Sequence, residues 1–157
     1  MKNNENIFLQ ENLNLFHIFS MSVAYPIVSV SIKNYTPKTF GTNDVERKKE
    51  LRDLILKQIG NIEEVRKASR GKRLSLDVCF NLYSDTDVEG RKTKDLDNLL
   101  KIFCDTLPDF TDRAKTVPGL GLIESDRDDM IFEIHCKKKL VNVESEEGVD
   151  FSISETR

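Results

Sequence analysis

Leu74-Ser75-Leu76-Asp77-Val78-Cys79-Phe80-Asn81-Leu82-Tyr83 alternates apolar and polar side chains more regularly than any other run of the chain. A period of two marks a strand with one buried face. Downstream, a turn carrying Asp85, Asp87, Glu89 and Gly90 leads through Arg91, Lys92 and Lys94 into Asp95-Leu96-Asp97-Asn98-Leu99-Leu100-Lys101. There the period changes: Leu96, Leu99, Leu100, Phe103 and Leu107 share one face of a helix that Pro108 ends. A loop with Pro118, Gly119 and Gly121 follows, then the acidic turn Glu124-Ser125-Asp126-Arg127-Asp128-Asp129. Ile131, Phe132 and Ile134 predict a strand after it, running into Lys137-Lys138-Lys139, and Val149 to Ile153 predict a last strand after a turn at Glu144 to Gly148.

Upstream of the central strand, Arg66, Lys67, Arg70, Lys72 and Arg73 surround Gly71 and read as a solvated basic loop. Asn43-Asp44-Val45-Glu46 has the form of a capping box, with Val45, Leu51, Leu54, Ile55 and Ile59 at helical spacing behind it, which predicts a helix to about Gly60. Val28, Val30 and Ile32 alternate with Ser29, Ser31 and Lys33 as a first strand, and Tyr35 to Gly41 reads as loop. Residues 1–20 read as an N-terminal arm or as a stretch before a true start at Met21, leaving 21–157 as one domain.

The composition is that of a globular protein, 38% hydrophobic and 32% charged, and no apolar run approaches the roughly 20 residues that cross a bilayer. Cys79, Cys104 and Cys136 are odd in number and lack metal-ligand spacing, so they are expected as buried thiols in a reducing cytoplasm. A net charge of −3 does not suggest a nucleic-acid binder, so the local distribution has to decide.

Asp95 and Asp97 have two readings. Asp95 can be an N-cap, with Asp97 favourable at the helix N-terminus and paired to Lys101 four residues on. Alternatively, the two carboxylates and the acidic turn hold a divalent cation on which an anionic phosphodiester binds. Magnesium prefers a few carboxylate oxygens, polarises phosphoryl oxygens and activates a bound water, while Lys101 supplies a point charge.

The segment Asp95-Leu96-Asp97-Asn98-Leu99-Leu100-Lys101, followed by Asp105 and Leu107, resembles the central motif of the RusA-type Holliday junction resolvases. Gly121-Leu122-Ile123-Glu124-Ser125-Asp126 is similar to the glycine, apolar pair and acidic turn that precede a strand in that family. The resemblance runs from about Leu74 to Lys139. It implies an α+β (mixed α/β) single domain with a mixed β-sheet packed against helices. It also implies a magnesium-dependent endodeoxyribonuclease, with manganese able to substitute, that makes paired symmetric nicks in four-way DNA junctions as a homodimer. Carried across, Asp95, Asp97, Lys101 and Asp126 are the catalytic set. The metal ligands are Asp95, Asp97 and Asp126, with Asp128 as the second choice, because counting from Gly121 selects Asp126 and counting back from Glu133 selects Asp128. The connection Asp109 to Gly119 is longer than the family's usual one. Phosphate contacts would come from Lys48, Lys49, Arg70, Lys72, Arg73, Arg91, Lys92 and Lys94. The alternatives are a metal nuclease for other branched or flap DNA, a dimer that binds branched DNA without cutting, and a structural domain.

Overall fold

The computed structural model describes residues 26–86 and 93–156. The arm at 1–20, Met21, Arg91 and Lys92 lie outside the described residues. The strands are β1 (Val28–Lys33), β2 (Leu74–Leu82), β3 (Ile131–Leu140) and β4 (Gly148–Glu155). The helices are α1 (Asp44–Gln58), α2 (Ile62–Ser69) and α3 (Leu96–Cys104). Together they form one small α+β domain with a mixed sheet in the order β1-β4-β2-β3. β4 runs antiparallel to both neighbours, with Val30 opposite Phe151 and Val78 opposite Phe151. β2 and β3 are parallel, with Leu76 opposite Ile134 and Phe80 opposite Lys138, so α3 is the crossover between them. Among the described residues no helix is long and apolar enough to cross a membrane.

The alternation predicted for β2 sorts the faces of the sheet. Leu74, Leu76, Val78, Phe80 and Leu82 are buried with Val30, Ile32, Val149, Phe151 and Ile153. Against them pack Leu51 and Ile55 of α1 and Leu99, Ile102 and Phe103 of α3, the Phe103 ring meeting Phe151 edge-on at 4.9 Å. The opposite face is polar, and Asp150 at its centre accepts hydrogen bonds from Ser31 Oγ at 2.6 Å and Asn81 Nδ2 at 2.7 Å.

Two local expectations are corrected. Asn43 precedes α1 at φ 63°, in the left-handed region, and its side chain caps nothing. A capping side chain needs an extended backbone at that position, so the capping box does not form. The basic run is not a plain loop either, because Arg66 and Lys67 belong to α2, which Asn61 caps by accepting from the Glu64 N–H at 3.4 Å. This helix is held by tertiary bonds: Arg66 Nε donates to the Leu120 carbonyl at 2.8 Å, and Ser69 Oγ to the Leu122 carbonyl at 2.8 Å.

The chain after α3 is pressed onto the end of that helix. The N–H groups of Leu120 and Leu122 each donate, at 2.8 Å, to the carbonyls of Thr106 and Leu107. A side chain at Gly119 would run into the Pro108 carbonyl, and Gly121 sits at φ 70° with Arg66 Nε where a Cβ would need room. The glycines thus allow the close approach that delivers the acidic turn to α3. The cysteines are free, but half-buried rather than buried; burial pushes the Cys104 thiol up to about 12.

Candidate functional site

A cleft of about 710 Å³ opens where α1, the C-terminal half of α3 and the acidic turn meet. Lys101, Asp126 and Asp128 line it, together with Phe40, Asp44, Lys48, Asp105 and the 110–115 loop. Asp97, Lys101 and Asp105 succeed one another at four-residue steps on one face of α3, so Lys101 has a carboxylate one turn away on either side. It takes Asp105, with Nζ 3.8 Å from Oδ2, and lies 4.6 Å from the centroid of the Phe40 ring. The expected Asp97–Lys101 pair is absent among the described residues.

At the floor, Lys48 is buried with Nζ 2.8 Å from Asp105 Oδ2 and 3.0 Å from Asp44 Oδ2. Burial opposes its charge, but the hydrogen bonds it donates to Asp105 and Asp44 outweigh that, and its pKa lies above the ordinary lysine value. The Lys48 hydrogen bond in turn draws the Asp44 carboxyl below its usual range. Lys48 is therefore part of the cleft's framework and not the surface phosphate contact expected of it.

The long connection after α3 folds back on itself. Asp112 accepts from the N–H groups of Val117 and Thr116, both at 2.9 Å, and those bonds lower its carboxyl pKa. Beyond it, Asp126 stands at φ 66°, a left-handed conformation that costs an L-residue free energy and that Asp tolerates better than most. Asp126 and Asp128 are exposed, and neither has a hydrogen-bond or ion-pair partner among the described residues; Asp129 is taken up by Arg127 at 2.9 Å.

Asp95 and Asp97 lie elsewhere. Asp95 is the N-cap residue of α3, yet its side chain makes no capping bond, so the capping role considered for it is not realised. Lys94 beside it accepts at its carbonyl from Lys138 Nζ at 2.9 Å, which fixes the start of α3 beside the last residues of β3. The acidic turn precedes the first residue of β3. The cleft is lined by α3 only from Lys101 onward, so Asp95 and Asp97 at the start of the helix do not line it with Asp126 and Asp128. Magnesium takes its oxygens at about 2.1 Å, and this arrangement does not place all four carboxylates around one ion. Among the described residues no group of three or more His, Cys, Asp or Glu side chains is placed to hold a metal ion.

The basic candidates divide. Lys94 is corrected: its ammonium is buried 3.4 Å from Glu147, each side chain only 7% exposed, so it does not face a nucleic acid. Arg70 donates through Nε to the Gly121 carbonyl at 3.1 Å and pairs with Asp109. Lys72 reaches Glu155 at 3.1 Å, and the Arg73 guanidinium lies 4.8 Å over the Phe132 ring. These three sit at the start of β2, the end of the sheet to which the acidic turn also belongs. Lys49 is exposed on α1.

Phe40 and Lys48 were not singled out as cleft residues from the sequence. The four-residue spacing of Asp44 and Lys48 was the one available sign. No protein-family model matches the chain, and neither a curated protein nor a solved structure does so.

Proposed function

We propose that the protein is a magnesium-dependent, structure-selective endodeoxyribonuclease of the RusA type that resolves four-way DNA junctions. The observation carrying this reading is the convergence of Lys101, Asp126 and Asp128, three of the motif-derived residues, on one cleft. The exposed Lys101 ammonium offers a phosphodiester a positive charge at the mouth. Lys48 holds Asp105 from below, so Asp105 does not fully neutralise Lys101. Arg70, Lys72 and Arg73 provide phosphate contacts at the same end of the sheet, which position a duplex without reading its sequence.

The ion itself would supply Lewis-acid activation of water and phosphate. Asp95 and Asp97 stand apart from the cleft, and among the described residues no group of three carboxylates is placed to hold the ion. That separation favours a second reading, a protein that holds branched DNA without cutting it. The test compares four-way, three-way and flap substrates for binding in calcium and for cleavage in magnesium and in manganese. Cleavage confined to four-way junctions supports the resolvase reading, and equal cleavage of flaps supports a broader nuclease. Tight binding with no cleavage in magnesium or manganese supports the second reading.

A further inference from the structure

The cleft carries two cations that stand apart from Lys101 and from Arg70, Lys72 and Arg73. Arg113 and Lys115 line it from the tip of the connection Asp109 to Gly119. Both are exposed, and neither side chain has a hydrogen-bond or ion-pair partner among the described residues. Five aspartates line the same cleft, but three of them are already engaged. Asp44 and Asp105 hold Lys48, and Asp112 accepts from the loop's own N–H groups. Asp126 and Asp128 are left on the acidic turn, and Arg113 and Lys115 on the loop.

The loop that presents these cations is tied down at its stem and at its tip. At the stem, the Thr111 N–H donates to the Val117 carbonyl at 2.8 Å, and Phe110 bridges to Pro118. The Thr111 carbonyl accepts from the buried Lys48 Nζ at 3.5 Å, and the Pro118 carbonyl accepts from Arg52 Nη1. At the tip, Asp112 Oδ2 also accepts from Thr116 Oγ1 at 2.7 Å, and the Lys115 N–H donates to the Asp112 carbonyl at 3.1 Å. Lys115 stands at φ 56°. A left-handed lysine costs free energy and persists only where its surroundings impose it, a situation that recurs at ligand clamps. With the backbone already ordered, a ligand has only two side chains left to fix, which lowers the cost of binding.

The ligand chemistry follows from where the loop begins. Arg70 pairs with Asp109, the first residue of the connection, so Arg113 and Lys115 extend the basic set at the start of β2 toward the cleft. A small anion meets such groups one at a time, whereas a sugar-phosphate strand carries a charge at every nucleotide and meets them in succession. We propose that the connection Asp109 to Gly119 is a preformed phosphate clamp, in which Arg113 and Lys115 take two backbone phosphates of the DNA strand that enters the cleft. The clamp rests on the nucleic-acid reading of the cleft and not on cleavage.

The test is binding of a labelled four-way junction by the full chain in calcium, titrated at several salt concentrations. Neutralising two phosphates contributes about 2 to the slope of log affinity against log salt, so Arg113→Ala/Lys115→Ala should bind with a slope shallower by about 2. Its urea midpoint should equal that of the wild type, because neither side chain holds the fold. Arg113→Lys/Lys115→Arg keeps both charges and should keep the wild-type slope. Asp112→Ala keeps both cations but releases the tip of the loop, and should weaken binding at an unchanged slope. A double alanine variant with the wild-type slope overturns the clamp and leaves DNA binding by the protein intact. Asp112→Ala binding as tightly as the wild type overturns its preformed character. A wild-type protein that binds no DNA at any salt concentration overturns the nucleic-acid reading and the clamp with it.

Discussion

Lys101 Nζ lies 3.8 Å from Asp105 Oδ2, one turn toward the C-terminus of α3, and not beside Asp97 one turn the other way. The lysine thereby points into the cleft shared with Asp126 and Asp128. Its side chain is 49% exposed, so an exposed ion pair of this kind adds little stability. Lys101→Ala should leave the urea midpoint almost unchanged and lower junction cleavage by about 100-fold or more, the usual cost of removing one preorganised group that stabilises developing charge. Single-turnover cleavage and equilibrium unfolding on the same preparation check both halves.

Lys48 is the opposite case. Its buried ammonium bridges Asp44 and Asp105, and Lys48→Met leaves Asp44 without its cation and Asp105 with only the longer, exposed pair to Lys101. The expected loss is about 2 kcal/mol, in the range for hydrogen bonds to charged groups, read as a lowered urea midpoint with an unchanged slope.

The pH dependence follows from the same bridge. The folded-state pKa of Asp44 lies below its ordinary value of 3.8, so its contribution is present above that value and lost as pH falls through the lower folded value. The raised pKa of Lys48 contributes stability below 10.5 that is lost as pH rises through the higher folded value. The urea midpoint of the wild type should therefore fall below about pH 4 more steeply than that of Lys48→Met. Equal acid slopes would contradict the bridge.

Lys94 and Arg73 separate fold from DNA contact. Lys94→Met leaves Glu147 buried without its partner and should destabilise the protein by about 3 kcal/mol, by the usual cost of breaking a buried pair. Arg73→Ala should leave stability nearly unchanged, weaken junction binding irrespective of sequence and reduce the salt slope by about 1. Binding titrations at several salt concentrations read the slope directly.

Gly121→Ala places a Cβ in the left-handed region against Arg66. It should cost about 1 to 2 kcal/mol and disturb the delivery of the acidic turn to the cleft. Thermal unfolding measures the first effect and junction cleavage the second.

The four strands and two of the three helices were legible because each carries its own periodicity, as Leu74 to Leu82 does for β2 and Leu96 to Phe103 for α3. α2 was not, because its apolar residues are few and its anchors are the carbonyls of Leu120 and Leu122, contributed by a distant segment. At the cleft, the row Asp97, Lys101 and Asp105 could be read from helical spacing, but which carboxylate Lys101 takes could not. The placement of Asp95 and Asp97 outside the cleft was hidden for a topological reason. It depends on β3 lying parallel to β2, so that α3 runs back from the end of β2 and its entrance lies toward the end of β3, away from the acidic turn at the beginning of that strand. The burial of Lys48 and Lys94, both expected at the surface, follows from Asp105 and Glu147, partners that no local pattern announces.

The most direct measurement is cleavage of a synthetic four-way junction with each strand labelled in turn, in magnesium, by the wild type, Asp97→Asn and Asp126→Asn. A junction resolvase with this site makes paired nicks placed symmetrically across the junction as wild type and none as either variant, with all three proteins binding the junction. Wild-type protein that binds but never nicks, or either variant nicking at the wild-type rate, would contradict the resolvase reading.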